Sequence, residues 1–493
     1  MKSLSRRSAA CPPEPGGRRW EREGGLPRWA TTLDVVAVVM ALVAISVVIG
    51  GGFRIWIFDS RLSVTSWWRP ALISVLAIAI RHALIRQQPL PLRVTHGVIE
   101  WWRAPDTKIV LPIHLATRFG VLFVGFLAVI LIGLPPEAAN RWKIYSNDFL
   151  DLPARWDTGW YLSIATEGYQ YYRSAAPDFQ QNIAFFPAFP MSMRYLSVLF
   201  GRQTLWTGVG ISIVSFYLAL TYFLRLSRDL LKDEEKAVTA VTLLAVYPFA
   251  VFFSAAYTEG LFLLTLMGAV YHFHRNQLVR AAIWGFVCGL TRPNGSLLSI
   301  VLALMAVAPM WDAVRWRPIL PPPPGWGVIM RRLLAAASPG FGMLAFSAFI
   351  YRLTGNPFMW TIQNAAWGRV YRSLDSLVSD RVGFIANNGL YSYASTQTLD
   401  LFYALAVLLA LAAVWPVYRR FGLPFAVFIL ITIVPPMSAG GLLSMGRVTS
   451  VLFPVFLWMA AAVPARHRVA WTCLFGVLQG FVAVMFFTWR PLY

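Results

Sequence analysis

The chain is a succession of apolar runs, each near the length that crosses a bilayer, and this fixes its class before any motif is read. Runs at about 34–53, 70–86, 112–134, 206–224, 237–254, 258–273, 333–353, 401–418, 421–438, 447–463 and 469–488 carry few charges. About 20 apolar residues span a ~30 Å hydrocarbon core as a helix, and within lipid only helices and closed barrels satisfy their own backbone. Hydrophobic residues make up 57% of the 493 and charged residues 13%, against about a quarter charged in soluble domains. The run at 280–310 is broken by Thr291-Arg292-Pro293-Asn294-Gly295. Proline removes a helix hydrogen bond and glycine ends helices, so two short helices are expected there, turning at Arg292. The reading is an all-α polytopic membrane protein with about 13 transmembrane helices.

The net charge of +21 would suggest nucleic acid in a soluble protein. Here the basic residues lie in short connections, where they set topology and meet anionic lipid. Membrane lipids are the implied partners, and nucleic acid is not. Arg86, Arg93, Arg103 and Lys108, then Arg225–Lys236, His272–Arg280, Arg419-Arg420 and Arg466-His467-Arg468, are expected on the cytoplasmic side. The N-terminus is then cytoplasmic. Residues 1–33, rich in Arg, Pro and Gly, read as a disordered cytoplasmic tail rather than a signal peptide. Residues 34–111 read as two N-terminal helices and a linker, and 112–490 as the main membrane domain. Its long extracytoplasmic segments are 135–200 and 354–400, and Asn182–Phe200 is an interfacial or re-entrant piece. Pro321–Pro324 is a stiff linker. Cys11, Cys288 and Cys473 form no disulfide or metal pattern. No P-loop or nucleotide-binding glycine pattern appears, and neither a metal nor a cofactor is called for.

This topology gathers Asp157, Glu259, Arg292 and Arg447 at the outer face, and ionisable groups at membrane depth default to functional hypotheses. Asp157 lies in Arg155-Trp156-Asp157-Thr158-Gly159-Trp160-Tyr161, where Asp is a good N-cap for a short interfacial helix. Capping and catalysis are both open to it. Glu259 is suited to a helix N-terminus or to a sugar or acceptor contact. Arg292 fits a phosphate or a buried ion pair. Arg447 fits snorkelling or the same phosphate. Trp142, Tyr145 and Trp160 are able to stack on a sugar or to belong to an interfacial belt. A transporter more often shows paired broken helices; one clear break is visible here.

The ordered motifs resemble the GPI mannosyltransferase II family (phosphatidylinositol-glycan class V type) and its bacterial relatives. They are Arg155-Trp156-Asp157 with Ile164-Ala165-x-x-Gly168-Tyr169, Ala184-Phe185-Phe186-Pro187-Ala188-Phe189-Pro190, Tyr257-Thr258-Glu259-Gly260-Leu261-Phe262 and Leu290-Thr291-Arg292-Pro293-Asn294-Gly295. Thr354-Gly355-Asn356-Pro357-Phe358 with Gln363 and Trp367-Gly368-Arg369, then Ser444-Met445-Gly446-Arg447 with Phe453-Pro454, complete the series. The resemblance implies a C-type glycosyltransferase fold over 112–490. It implies inverting transfer of mannose from polyprenyl-phosphate-mannose to a lipid or glycan acceptor on the non-cytoplasmic face. Asp157 falls on the family's first-loop acidic residue and is the implied general base. Arg155, Trp160, Tyr161, Glu259, Arg292 and Arg447 are the substrate-binding candidates. A transferase for another lipid-linked sugar, and a transporter or flippase of lipid-linked glycan, are the alternatives.

Overall fold

A computed structural model describes residues 27–50, 52–57, 60–85, 90–138, 142–173, 176, 178–315 and 325–490. Most of the expected tail, and the proline tract 321–324, lie outside the described residues. The chain divides into two compact units, the first ending at Trp101 and the second beginning at Trp102.

In the first unit, α1 (Arg28–Gly50) begins inside the stretch expected to be tail. A short hairpin follows, β1 (Phe53–Ile57) and β2 (Ser60–Val64), with Phe53 opposite Val64 and Ile57 opposite Ser60. The hairpin is a local feature of an otherwise helical chain. Phe53-Arg54-Ile55-Trp56-Ile57 has β-branched and aromatic residues in a short run, which favours strand over helix. Next comes α2 (Trp68–Leu84). An ion pair fastens the two helices: the fully buried Arg81 places Nε 3.2 Å from Asp34 Oδ1, and Ser74 Oγ donates to Ala37 O at 2.8 Å. The amphipathic α3 (Leu90–Arg103) carries the chain past Trp101.

The second unit opens with α4 (Pro105–Leu131), then the short α5 (Thr158–Thr166) and α6 (Ala188–Leu196). The long α7 (Thr204–Leu231) follows, then α8 (Glu234–Ala245) with a 3-10 turn at Pro248–Ser254. Next are α9 (Glu259–His274), α10 (Leu278–Gly289), α11 (Leu298–Arg315), α12 (Trp326–Ala336) and α13 (Ser338–Thr354). The remainder comprises α14 (Met359–Ile362), α15 (Leu374–Thr396), α16 (Thr398–Phe421), α17 (Leu423–Ser438), α18 (Met445–Thr449), α19 (Phe453–Ala462) and α20 (Ala465–Phe487).

Among the described residues six helical segments are long and apolar enough to cross a membrane, or seven if α8 and its following turn form one bent span. The protein is therefore a multi-pass membrane protein. Other apolar runs form shorter helices, α9 with 16 residues, α17 with 16 and α19 with 10, and α10, expected to be short, has 12. At 1.5 Å per residue these reach roughly 15–24 Å, short of a ~30 Å core. Their ends must be covered by protein or face a wet recess.

Two breaks create such ends. The first is the expected one: α10 stops at Gly289, and Arg292 is extended, as a residue before proline prefers. The second is at Pro248, where the axis turns by 74°. Backbone carbonyls freed there are not left bare. Arg118 of α4, itself buried, donates to Ala245 O at 2.9 Å, Ala250 O at 2.5 Å and Ser254 Oγ at 3.0 Å. Gln479 of α20 adds bonds to Ala245 O and Tyr247 O at 3.0 and 2.9 Å. The bend thus delivers residues 255–258 as a buried connection into α9, which opens at Glu259.

The helices share two distinct ends. At one, Arg225 pairs with Asp106 at 2.6 Å, Arg275 with Asp229 at 2.9 Å and Arg468 with Glu235 at 3.0 Å, joining α4, α7, α8, α9 and α20. At the other lie the start of α9, the last turn of α20 and the loop before α5. Small residues set the packing between them. A Cβ on Gly289 would overlap Pro339 O, and one on Gly342 would overlap Phe286 O, so α10 and α13 cross in backbone contact.

Candidate active site

The site is built where the bend at Pro248, the break at Arg292 and two tight turns converge. Trp156 has φ 51° and Ser444 φ 60°. A side-chain-bearing residue in this left-handed region costs roughly 1–2 kcal/mol. Each strained residue precedes one half of an ion pair: Asp157 follows Trp156 directly, and Arg447 lies in the first turn of α18 after Ser444.

Arg447 is the hub. Its Nη1 pairs with Asp157 Oδ2 and its Nε with Glu259 Oε1 at 2.6 Å. Its guanidinium lies over the Tyr257 ring at 4.7 Å and the Phe252 ring at 5.4 Å. Arg292 Nη1 reaches the same Glu259 oxygen at 2.8 Å. The four ionisable residues expected at one face are therefore in a single contact cluster. Their accessibility separates them: the Glu259 side chain is 0% exposed, Arg447 14%, Arg292 16% and Asp157 29%. Among the described residues Asp157 Oδ1 accepts no hydrogen bond.

Several expectations change. Asp157 occupies the N-cap position of α5 but has helical φ and ψ and makes no side-chain cap bond. Charge pairing with Arg447, from 290 positions away in sequence, takes the carboxylate that capping would have used. Glu259, a substrate-binding candidate in the sequence, is sealed beneath the two arginines. Arg447 does not snorkel; it turns inward to both carboxylates.

Arg155, another substrate-binding candidate, is enclosed by protein. It is 3% exposed, and its guanidinium donates to Phe487 O at 2.7 Å, Asp151 O at 2.8 Å and Ala154 O at 2.9 Å. It pins the loop before α5 to the end of α20. Asp151 supports that loop by accepting from the backbone N–H groups of Ile144 and Tyr145 at 2.8 and 3.1 Å.

Tyr161 is 3% exposed, wedged among Phe185, Phe189 and Tyr257. Burial pushes its hydroxyl up to about 12, partly opposed by Arg447, so it stays protonated at neutral pH and is no base. Trp160 remains partly open, with its ring stacked on Phe185 at 5.8 Å and edge-on to Trp367 at 5.6 Å. Trp142 packs edge-on against Trp489, and Tyr145 donates to Gln203 Oε1 at 2.6 Å.

One residue of the site escapes a search for buried charges within apolar runs. Arg369 lies in the loop after α14, partly buried, against Gly440. Among the described residues its side chain makes no ion pair or hydrogen bond. Burial, first, and the neighbouring cations Arg447 and Arg292 hold its pKa below the ordinary arginine value, with Asp157 opposing. Its signal in sequence is the Trp367-Gly368-Arg369 motif. No three His, Cys, Asp or Glu side chains gather as a metal site among the described residues.

Comparison with known proteins bears on this same region. Residues 131–310 match the family model described as mannosyltransferase (PIG-V). That segment includes Asp157, Glu259 and Arg292 of the cluster, while Arg369 and Arg447 lie beyond it. Among curated proteins none matches the chain. Solved structures with some likeness include the oligosaccharyltransferase of Archaeoglobus fulgidus in complex with zinc and sulfate. It is 15% identical, with 76% of this chain and 53% of that chain covered and a TM-score of 0.36. The Archaeoglobus fulgidus oligosaccharyltransferase AglB, with an inhibitory peptide and a dolichol-phosphate, is 14% identical, with 77% and 56% covered and a TM-score of 0.37. The chain spans about half the length of these structures.

Proposed function

We propose that this PIG-V-type chain is a membrane glycosyltransferase that moves mannose from polyprenyl-phosphate-mannose to a lipid or glycan acceptor. Transfer takes place on the non-cytoplasmic face of the plasma membrane with inversion, and Asp157 is the general base. The observation that carries this reading is the accessibility of one carboxylate. Within a segment that matches a mannosyltransferase family, Asp157 alone of the cluster's two carboxylates faces solvent, with one oxygen held by Arg447 and the other unengaged.

The chemistry runs as a single displacement. The acceptor hydroxyl gives its proton to Asp157 Oδ1 as its oxygen bonds to the sugar's C1. The C1–O bond to phosphate breaks, and the electron pair leaves with the lipid phosphate. Glycosyl transfer of this kind passes through an oxocarbenium-like transition state, and fixed cations lower the energy of the charge developing on the leaving group. Arg447 fixes the Asp157 carboxylate in direction, and Glu259 fixes Arg447 in turn. The open part of Trp160 offers a ring face to the sugar. A lipid phosphate departs without protonation, so this scheme draws on no second acid and no metal.

The test is transfer by purified full-length protein supplied with polyprenyl-phosphate-mannose and a membrane lipid extract. A general base contributes about 10²–10⁴-fold, so Asp157→Asn is expected to lose that much of kcat while donor binding stays near wild type. Full turnover by Asp157→Asn excludes the base assignment. Movement of donor across liposomes with no new glycosidic bond would make the protein a transporter.

A further inference from the structure

We propose that Arg369 is the cation that seats the donor's phosphate, and that it adapts the site to a lipid carrying one phosphodiester charge. This rests on the transferase reading above.

Geometry places Arg369 at the site from two directions. Two residues before it, Trp367 packs on Trp160 and Phe185, and Trp160 lies in the first turn after Asp157. On the other side, the Arg369 side chain runs along Gly440, and Arg372 N–H bonds Ser438 O at 2.7 Å. The loop is therefore stretched between the start of α5 and the turn that leads into α18. Arg369 sits midway, within electrostatic reach of Asp157, Arg292 and Arg447.

Its lack of an ion-pair or hydrogen-bond partner among the described residues is what distinguishes it. Arg447 already spends Nε and Nη1 on Glu259 and Asp157, and Arg292 spends Nη1 on Glu259. Both are occupied in holding carboxylates. Arg369 presents a whole planar fork, the geometry that grips phosphate in two places. A partly buried cation beside two others is costly unless an anion joins it.

Charge balance points to the size of that anion. Three guanidinium groups face two carboxylates, leaving one positive charge in excess, and a lipid phosphodiester carries one negative charge. As transfer proceeds, Asp157 takes the acceptor's proton and becomes neutral, so the site's excess rises to two. In the same step the C1–O bond breaks and the departing lipid phosphate becomes a monoester of up to two negative charges. Site and lipid stay matched before and after the reaction. Without Arg369 the cluster alone is neutral at the start and carries nothing to attract the donor.

The experiment compares wild type, Arg369→Ala and Arg369→Lys as full-length protein in lipid nanodiscs. Donor KM is measured, together with inhibition by polyprenyl monophosphate, and with uncharged polyprenol as the control. A hydrogen-bonded charge contact of this kind changes binding by roughly 10- to 100-fold. Arg369→Ala is expected to raise donor KM and weaken monophosphate inhibition by such a factor. Arg369→Lys should recover part of both, and polyprenol should not discriminate. The loop position leaves folding intact, which an unchanged unfolding temperature checks, and Arg369→Lys serves should Arg369→Ala fail it. If wild type transfers mannose and neither KM nor inhibition changes in Arg369→Ala, the inference is overturned and the transferase reading stands. A lysine variant no better than alanine removes the charge argument. If wild type binds polyprenyl monophosphate through Arg369 yet transfers no sugar, the reading falls and the phosphate seat stands. No transfer and no binding overturns both.

Discussion

At the scale of single residues, the two carboxylates beneath Arg447 do different work, and their burial says which is which. Glu259 is sealed, with Arg292 and Arg447 both on one of its oxygens. Removing one partner of a buried ion pair costs about 3–5 kcal/mol, because the remaining charge stays buried without compensation. Glu259→Gln is therefore expected to lower the unfolding temperature in detergent sharply. Asp157→Asn, at a partly exposed position that leaves Arg447 paired with Glu259, is expected to lower it far less. Equal losses would make Asp157 a structural residue and count against its role as base. Sequence alone could not separate the two. Both carboxylates start helices, where an acidic side chain is favoured locally. What decides between them is Arg447, whose approach depends on the whole intervening fold. The same holds for Arg155, which adjoins Asp157 in the motif but is spent on the carbonyls of Phe487, Asp151 and Ala154.

Secondary-structure elements show a different balance. The apolar runs were legible because lipid admits so few solutions to backbone hydrogen bonding, and the break at Thr291–Gly295 was legible because proline and glycine act locally. The bend at Pro248 carries an equally local signal. What was hidden is that Arg118 and Gln479 sustain it from α4 and α20. The hairpin of β1 and β2 was missed because its strands are too short to stand out between two long helices. Close approach of α7 and α9 holds Glu259 at its depth: a Cβ on Gly260 would lie 2.5 Å from Ser212 O, while Ser212 Oγ donates to Tyr257 O at 2.8 Å. Backbone cannot yield as a side chain does, so Gly260→Ala should cost about 1–3 kcal/mol and displace the start of α9. Transfer activity is expected to fall with stability. Gly210→Ala, on the same α7 with nothing within 4 Å of its Cβ, is the matched control and should change neither. A neutral Gly260→Ala would mean that the α7–α9 contact does not position the site.

For the whole molecule the open question is orientation, and the two ends of the second unit make it testable. One end collects arginine–carboxylate pairs from α4, α7, α8, α9 and α20; the other holds the candidate active site. Basic connections are retained on the cytoplasmic side, so the site end is expected to face outward. A reporter at Thr158 would fail, because that side chain is fully buried. Glu167, just past α5 at the site end, and Ala465, opening α20 at the basic end, are both exposed. Single cysteines at these positions, in a chain lacking Cys11 and Cys473, are to be treated with a membrane-impermeant thiol reagent on intact cells. Glu167→Cys should react from outside and Ala465→Cys only after the membrane is opened, while buried Cys288 stays silent. The reverse pattern would place the Asp157–Arg447 cluster in the cytoplasm. A lipid-phosphate donor presented on the outer face could not then reach it, and the proposed reaction would be excluded on topology alone.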